Sequence, residues 1–466
     1  MWNFSQFGSH IALQNAQGER LTYQQLTDIG HALCHVMQKR TLVFCLCENS
    51  IGSALGYFSF VENGIVPALL SNTLSPSLLD ALVDTYHPAY FWLPEGQSFR
   101  NYPSIFKTNG YHLLQSPYGN EAVLHDDLAL LLTTSGSTGS PKFVRQSYRN
   151  IQANMVSIAD YLHLDQNERP ITTLPMSYTY GLSILQSHAY VGATLLITDA
   201  PITTRAFWDF AKAEKATSFG GVPYTYEMLD RMRFFRMDLP HLTTLTQAGG
   251  KLLPALHEKF ATWCAQEGKQ FIVMYGQCEA TARMAYLPWE KALDKIGAMG
   301  IAIPGGTFVL MDTEEKPIHE SGVTGELRYY GDNVTLGYST CRADLAKGDE
   351  RFGMLDTGDM AQVDEDGYYS IVGRKKRFLK LFGNRVNVDE VERILKNAFP
   401  SQEIACLGHD DHLIICATQA DELPAMRNHL IAQTNLPSQG FFTQTVPYIP
   451  KNDAGKVTYT ELERLL

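Results

Sequence analysis

Leu128-Ala129-Leu130-Leu131-Leu132-Thr133-Thr134-Ser135-Gly136-Ser137-Thr138-Gly139-Ser140-Pro141-Lys142 is the stretch that decides how this chain reads. Its first five residues form an unbroken apolar run, the pattern of a strand buried on both faces. Hydroxyl residues and two glycines follow, and a lysine closes the stretch. Glycines let backbone N–H groups come close to a phosphate, hydroxyls add donors, and lysine adds charge. A buried strand opening into such a loop points to nucleoside triphosphate chemistry.

The loop is not G-x-x-x-x-G-K-[ST]. Pro141 rather than glycine precedes Lys142, and Phe143 rather than Ser or Thr follows it. The hydroxyl that would hold magnesium in that motif is therefore missing. Taken alone, the stretch also reads as an ordinary Ser/Gly-rich surface loop. Motifs further along the chain decide between these readings.

At 466 residues the chain is long enough for about three domains or lobes. Apolar residues at 45% and charged residues at 19% describe a globular protein. The net charge of −11 argues against a nucleic-acid partner, which usually meets a basic surface. The N-terminus, Met1-Trp2-Asn3-Phe4-Ser5-Gln6, has neither a basic segment nor an apolar run of a secretory leader. The longest apolar stretch, Ser50 to Leu70, is broken by Glu62 and Asn63, so no membrane span is expected. Eight cysteines are scattered, and Cys45 and Cys47 share one face of a predicted strand. That spacing favours neither disulfides nor a metal site and fits a reducing cytoplasm.

Short apolar strands alternate with amphipathic helices, which predicts an α/β layered fold. Strands are expected at 41–47, 65–70, 193–198 and 271–274. Helices are expected at 51–62, 77–86 and 183–190. From Gly325-Glu326-Leu327-Arg328-Tyr329-Tyr330 to Tyr368-Tyr369-Ser370-Ile371-Val372 the pattern turns β-rich. Gly373-Arg374-Lys375-Lys376-Arg377 follows, marking a boundary before a compact tail. A short charge run of this kind is usually a solvated face.

Five further motifs follow the loop in order. They are Gln247-Ala248-Gly249-Gly250-Lys251, Met274-Tyr275-Gly276-Gln277-Cys278-Glu279-Ala280, Asp356-Thr357-Gly358-Asp359, Leu379-Lys380-Leu381-Phe382-Gly383-Asn384-Arg385-Val386-Asn387 and Pro450-Lys451-Asn452-Asp453-Ala454-Gly455-Lys456-Val457. An aromatic at a strand end stacks on a purine, and a carboxylate beside it holds magnesium through oxygen. Two oxygens of one carboxylate suit a vicinal diol. Each motif alone is weak, since Tyr-Gly and Asp-Gly are common turns and a lysine near a glycine is usually surface charge.

Together, and with the loop, they closely resemble the adenylate-forming superfamily, which includes acyl- and aryl-CoA synthetases, adenylation domains and carrier-protein ligases. The resemblance covers essentially the whole chain. It implies a large layered α/β N-terminal domain, 1–373, with a β-rich subdomain at about 296–373, and a small mobile α+β C-terminal domain, 374–466. It implies ATP and Mg2+, and CoA or phosphopantetheine as thiol acceptor. Thr134, Ser135, Gly136, Ser137, Thr138 and Gly139 would cradle phosphate, and Lys142 and Glu279 would address the triphosphate, Glu279 as the metal ligand. Gly249, Gly250, Tyr275 and Gly276 would surround the adenine. Asp359 and Arg374 would hold ribose or phosphate. Lys456 would bridge the substrate carboxylate and the α-phosphate, Lys376 would be the hinge, and Lys380 and Gly383 would line the thiol channel. The C-terminal domain would bring Lys456 in for adenylation and swing it away for thioester formation.

Three positions depart from the pattern. Cys278 stands where the family usually has Thr, and a thiol is a weaker donor to the α-phosphate. Arg377 replaces the acidic residue often found after the hinge. Tyr178, in Leu174-Pro175-Met176-Ser177-Tyr178-Thr179-Tyr180-Gly181-Leu182, replaces a common His. Tyr178, Tyr180, Gly221 and Met274 are the expected acyl pocket, with plain core packing as the alternative for the bulky three. No Asp occurs from 166 to 198 to hold an α-ammonium, which disfavours an amino-acid substrate. The expected substrate is a small carboxylic acid: short or medium acyl, hydroxyacyl or aryl. Arg374 to Arg377 with Arg385 would offer CoA a basic patch, whereas a carrier protein acting in trans needs less charge. An amino-acid ligase, and a degenerate member that binds nucleotide without turnover, are the competing readings. Cys278 alone supports the second.

Overall fold

The structure is a computed structural model. It describes residues 1–133, 142–382, 384–434, 437–451 and 456–466. Among these, one compact unit spans 1–133, 142–307 and 329–355, and a second spans 308–328 and 356–466.

An eight-stranded sheet forms the frame of the first unit. Leu42–Cys47, Val66–Ser71, Tyr90–Pro94 and Leu128–Thr133 pair in parallel at its centre. Phe143–Ser147, Gly337–Ser339, Tyr111–Gln115 and Ser104–Thr108 complete it in antiparallel fashion. Central parallel strands need both faces covered, which is why they read as continuous apolar runs. Leu42, Phe44 and Leu46 face one hydrophobic cluster with Leu79 and Leu82. Val43, Cys45 and Cys47 face the other with Ala54 and Leu55. The helix Ile51–Glu62 starts at Ser50, whose side chain accepts from the Ser53 N–H, and lies where the sequence predicts it.

A five-stranded sheet stands beside this frame within the first unit. Ser218–Gly221, Thr244–Gln247 and Gln270–Tyr275 are parallel neighbours. Their C-terminal ends pair Gly221 with Gln247 and Gln247 with Val273, and Tyr275 follows two residues later. In α/β sheets that edge is where ligands bind.

The second unit takes in part of the β-rich segment, including the strand Tyr369–Arg374 and its antiparallel partner Met354–Val363 from Asp356 onward. Its C-terminal part builds a three-stranded sheet from Ile404–His409, His412–Ala417 and Phe441–Thr445. The helices Val388–Ala398 and Leu423–Thr434 share a hydrophobic cluster with it.

A buried ion network ties the chain together here. Glu392 accepts from Arg377, from Lys396 at 2.8 Å and from the Tyr459 hydroxyl at 2.6 Å. Arg377 also meets Asp389 and lies over the Tyr459 ring. Burial alone would push the Glu392 carboxyl up, but the charges of Lys396 and Arg377 outweigh it, and the net shift is downward. A depressed carboxylate contributes stability above its unfolded range and loses it as pH falls through the folded value. Glu392→Gln is therefore expected to cost about 3 kcal/mol, since it leaves two cations short of a partner. Hydrogen exchange in Ile404–His409 at neutral pH reads this loss, and the gap from wild type should close as the pH is lowered. An unchanged exchange rate would refute the network's role.

Candidate active site

The strand Leu128–Thr133 delivers the chain to the hydroxyl- and glycine-rich loop. Thr134, Ser135, Gly136, Ser137, Thr138 and Gly139 lie outside the described residues. Lys142 lies just past them, at the start of the returning strand Phe143–Ser147. Its Nζ sits 3.6 Å from the centre of the Tyr338 ring. Register explains the contact. Ser339 pairs with Phe143 and Tyr338 with Val144, so the tyrosine is carried to the loop's end.

Tyr338 links two predicted residues. Its hydroxyl donates to Glu279 Oε1 at 2.6 Å. The Arg351 guanidinium carbon lies 4.7 Å from the same ring centre. Burial first, then the Glu279 charge, pushes the Tyr338 phenol well above its ordinary range, so it stays a donor. The Glu279 carbonyl takes the Thr335 N–H at 3.0 Å, the Thr335 hydroxyl at 3.0 Å and Arg351 Nη1 at 3.0 Å. A carboxylate on a backbone held by three donors is fixed before any ligand arrives. Neither Tyr338 nor Arg351 is predicted from sequence, because their partners lie far away in the chain.

Glycine conformation shapes the adjoining loops. Gly249 has φ +86°, and a side chain there would meet the Tyr178 hydroxyl at 2.7 Å. The Gln247 amide donates to the Gly250 carbonyl at 2.9 Å and closes the turn. At Gly276 a Cβ would lie 1.6 Å from the Ala282 carbonyl oxygen, so no other residue fits. Tyr275, Cys278 and Glu279 are all half-buried around it.

The four expected pocket residues lie close together. Tyr178 caps the helix Thr179–Tyr190 without a side-chain hydrogen bond. Tyr180 and Met274 are buried in one apolar cluster, with Tyr178 packed against it. The Tyr180 hydroxyl meets the Thr246 hydroxyl at 2.8 Å. A Cβ on Gly221 would touch Tyr226 and Thr225.

In the second unit Asp359 and Arg374 are direct antiparallel partners, with Arg374 Nε 3.6 Å from Asp359 Oδ1. Asp359 is buried and Arg374 exposed. Lys376 is exposed in the turn Lys375–Arg377, and Lys380 is exposed on the strand Phe378–Leu381. Gly383 lies outside the described residues. Lys456 is half-buried just before Val457, which bridges to Lys451. The expected basic patch of Arg374 to Arg377 needs correction. Arg377 is only 13% exposed and is taken by Asp389 and Glu392, while Lys375 pairs with Glu326 at 2.6 Å.

The profile of the family described as AMP-binding enzyme matches residues 2–339, more than half of the chain. The chain belongs to this family. As an AMP-binding enzyme it is an ATP-dependent ligase that activates a carboxylic acid as its adenylate. A long-chain-fatty-acid–CoA ligase of Salmonella typhimurium is 28% identical over 401 residues, covering 82% of this chain and 67% of that one. An oxalate–CoA ligase of Arabidopsis thaliana is 28% identical over 359 residues, covering 72% and 67%. The solved O-succinylbenzoate coenzyme A synthetase of Bacillus subtilis, in complex with AMP, superposes with a TM-score of 0.80. It covers 99% of this chain and 97% of that one at 18% identity, a likeness of fold.

Proposed function

We propose that this AMP-binding enzyme passes the adenylated acid to the thiol of CoA, and that the residues above divide the work. The observation that carries the reading is the cluster of Lys142, Tyr338, Glu279 and Arg351 at the exit of the phosphate-type loop. It presents two cations and one carboxylate to the same small volume. A substrate carboxylate oxygen attacks the α-phosphorus of ATP. The O–P bond forms, the bond to the β-phosphate oxygen breaks, and pyrophosphate leaves. Thiolate sulfur then attacks the acyl carbon, and AMP leaves with the bonding pair.

The protein's share is positioning and charge. Lys142 meets the triphosphate. A carboxylate oxygen joined by phosphate oxygens is the donor set magnesium takes, so Glu279 fits as its protein ligand, where the ion neutralises phosphate charge. Tyr275, Gly249 and Gly250 flank the base, Asp359 accepts from the ribose hydroxyls with Arg374 beside it, and Lys456 serves the adenylation step alone. Lys376 is the hinge between a 1–373 domain and a mobile 374–466 domain. Lys380 and Gly383 serve the thiol step. Eight free cysteines support a reducing, cytoplasmic setting. Among the described residues no helix is long and apolar enough to cross a membrane.

The named relatives act on acids as unlike as oxalate and long-chain fatty acids, so their names do not select a substrate. A carboxylic-acid panel in ATP–pyrophosphate exchange, repeated with CoA and followed by mass spectrometry, tests the reading. An acyl-CoA product is expected. Exchange without acyl-CoA would move the acceptor to a carrier protein in trans, and silence across the panel would sink the ligase. In the same assay Cys278→Thr is expected to raise kcat/KM for ATP about fivefold, the worth of one neutral hydrogen bond. No gain would remove position 278 from the phosphate contacts.

A further inference from the structure

Arg283 lies four residues past Glu279 and is 2% exposed. Its Nε donates to the Ser183 hydroxyl at 3.2 Å, and its Nη1 to the Tyr161 hydroxyl at 3.0 Å and the Met274 sulfur at 3.1 Å. The guanidinium carbon sits 5.1 Å from the centre of the Tyr180 ring. Every one of these partners is neutral. No Asp or Glu reaches Arg283 among the described residues, and Nη2, with two N–H donors, has no protein acceptor there. The surrounding groups supply no hidden negative charge. Burial pushes the phenols of Tyr161 and Tyr180 up, the latter to about 12, against the pull of Arg283.

An arginine stays protonated, and burying its charge without a counter-ion is costly. Two other arginines of low exposure among the described residues differ. Arg145 pairs with Glu350, and Arg377 with Glu392 and Asp389. Arg283 is also placed rather than left over. Thr281 (φ +56°) and Ala282 (φ +109°) are both left-handed, a strain that persists only where the surroundings enforce it. The Arg283 carbonyl accepts from the side-chain amides of Asn154 at 2.8 Å and Asn333 at 3.0 Å. Two of its neighbours, Tyr180 and Met274, are residues assigned above to the acyl pocket.

We propose that Arg283 selects the acid: the substrate is a dicarboxylic acid whose non-reacting carboxylate pairs with the Nη2 donors of this guanidinium. A carboxylate oxygen accepts from Nη2 in a charge-assisted hydrogen bond and supplies the missing charge. This rests on the ligase reading above. It makes Arg283 a specificity-determining residue, distinct from the groups that handle ATP.

Pyrophosphate exchange with matched acids of two to eight carbons tests it. Each dicarboxylic acid is compared with its monomethyl ester and with the monocarboxylic acid of equal length. At the fitting length wild type is expected to favour the diacid by about 100-fold or more in kcat/KM, because the neutral analogues leave the cation unpaired. Arg283→Met should remove that preference and raise kcat/KM for the monocarboxylic acid, while KM for ATP stays. A wild-type preference for neutral acids would overturn the proposal and leave the ligase standing. An equal loss on all acids in Arg283→Met would make Arg283 structural and overturn it too. Silence with every acid would overturn both readings. The wild-type comparison decides the matter even if the variant does not fold.

Discussion

Lys456→Ala is expected to lower ATP–pyrophosphate exchange by about 100- to 1,000-fold while sparing thioester formation from a supplied acyl-adenylate. The magnitude is that of removing one group aimed at developing charge. In adenylation, negative charge from the carboxylate and the α-phosphate meets at one phosphorus, and a lysine there has its largest effect. In the thiol step the new bond forms at carbon, and AMP is already made. The tail around Lys456 is held by its neighbours' backbone and side chains as well. Thr458 N–H donates to the Pro450 carbonyl at 2.9 Å. Val457, Tyr459 and Leu462 pack with Ala405, Leu407 and Cys416. The substitution should therefore leave the tail folded. Lys456→Arg, which keeps the charge on a different fork, is expected to fall between. Equal loss of both half-reactions in Lys456→Ala would withdraw the assignment.

What sequence can show here follows contact range. The helix Ile51–Glu62 is legible because Ser50 caps it and Asn63 ends it within one local stretch. The helix predicted at 183–190 begins earlier, at Thr179, because Tyr178 caps it without a side-chain hydrogen bond, so no start signal is written. Glu279 and Lys142 stand in motifs, whereas Tyr338, which touches both, stands in a three-residue strand that acquires meaning only by pairing with Phe143–Ser147. The run Arg374 to Arg377 reads as a solvated basic patch, yet the carboxylates that claim Arg377 arrive on the helix Val388–Ala398. Arg283 carries no local sign either, since its setting comes from residues 161, 180, 183 and 274.

Those long-range contacts define the second large effect. Glu279→Gln is expected to cut exchange by about 100-fold or more and to raise the magnesium concentration needed for half-maximal rate. Glutamine keeps the shape and can still accept from Tyr338, and the carbonyl bonded by Thr335 and Arg351 is untouched. What disappears is one negative charge, so the loss reports electrostatics rather than misfolding. Tyr338→Phe separates the two contributions. It deletes the 2.6 Å hydrogen bond but leaves the ring under Lys142, and about a tenfold loss is expected, the range of a hydrogen bond to a charged group. If Glu279 holds the metal and Tyr338 only aims it, the first variant shifts the magnesium curve and the second mainly lowers its plateau. A Glu279→Gln enzyme with an unshifted magnesium curve would place the metal on other ligands, and Tyr338 would then matter through Lys142 alone.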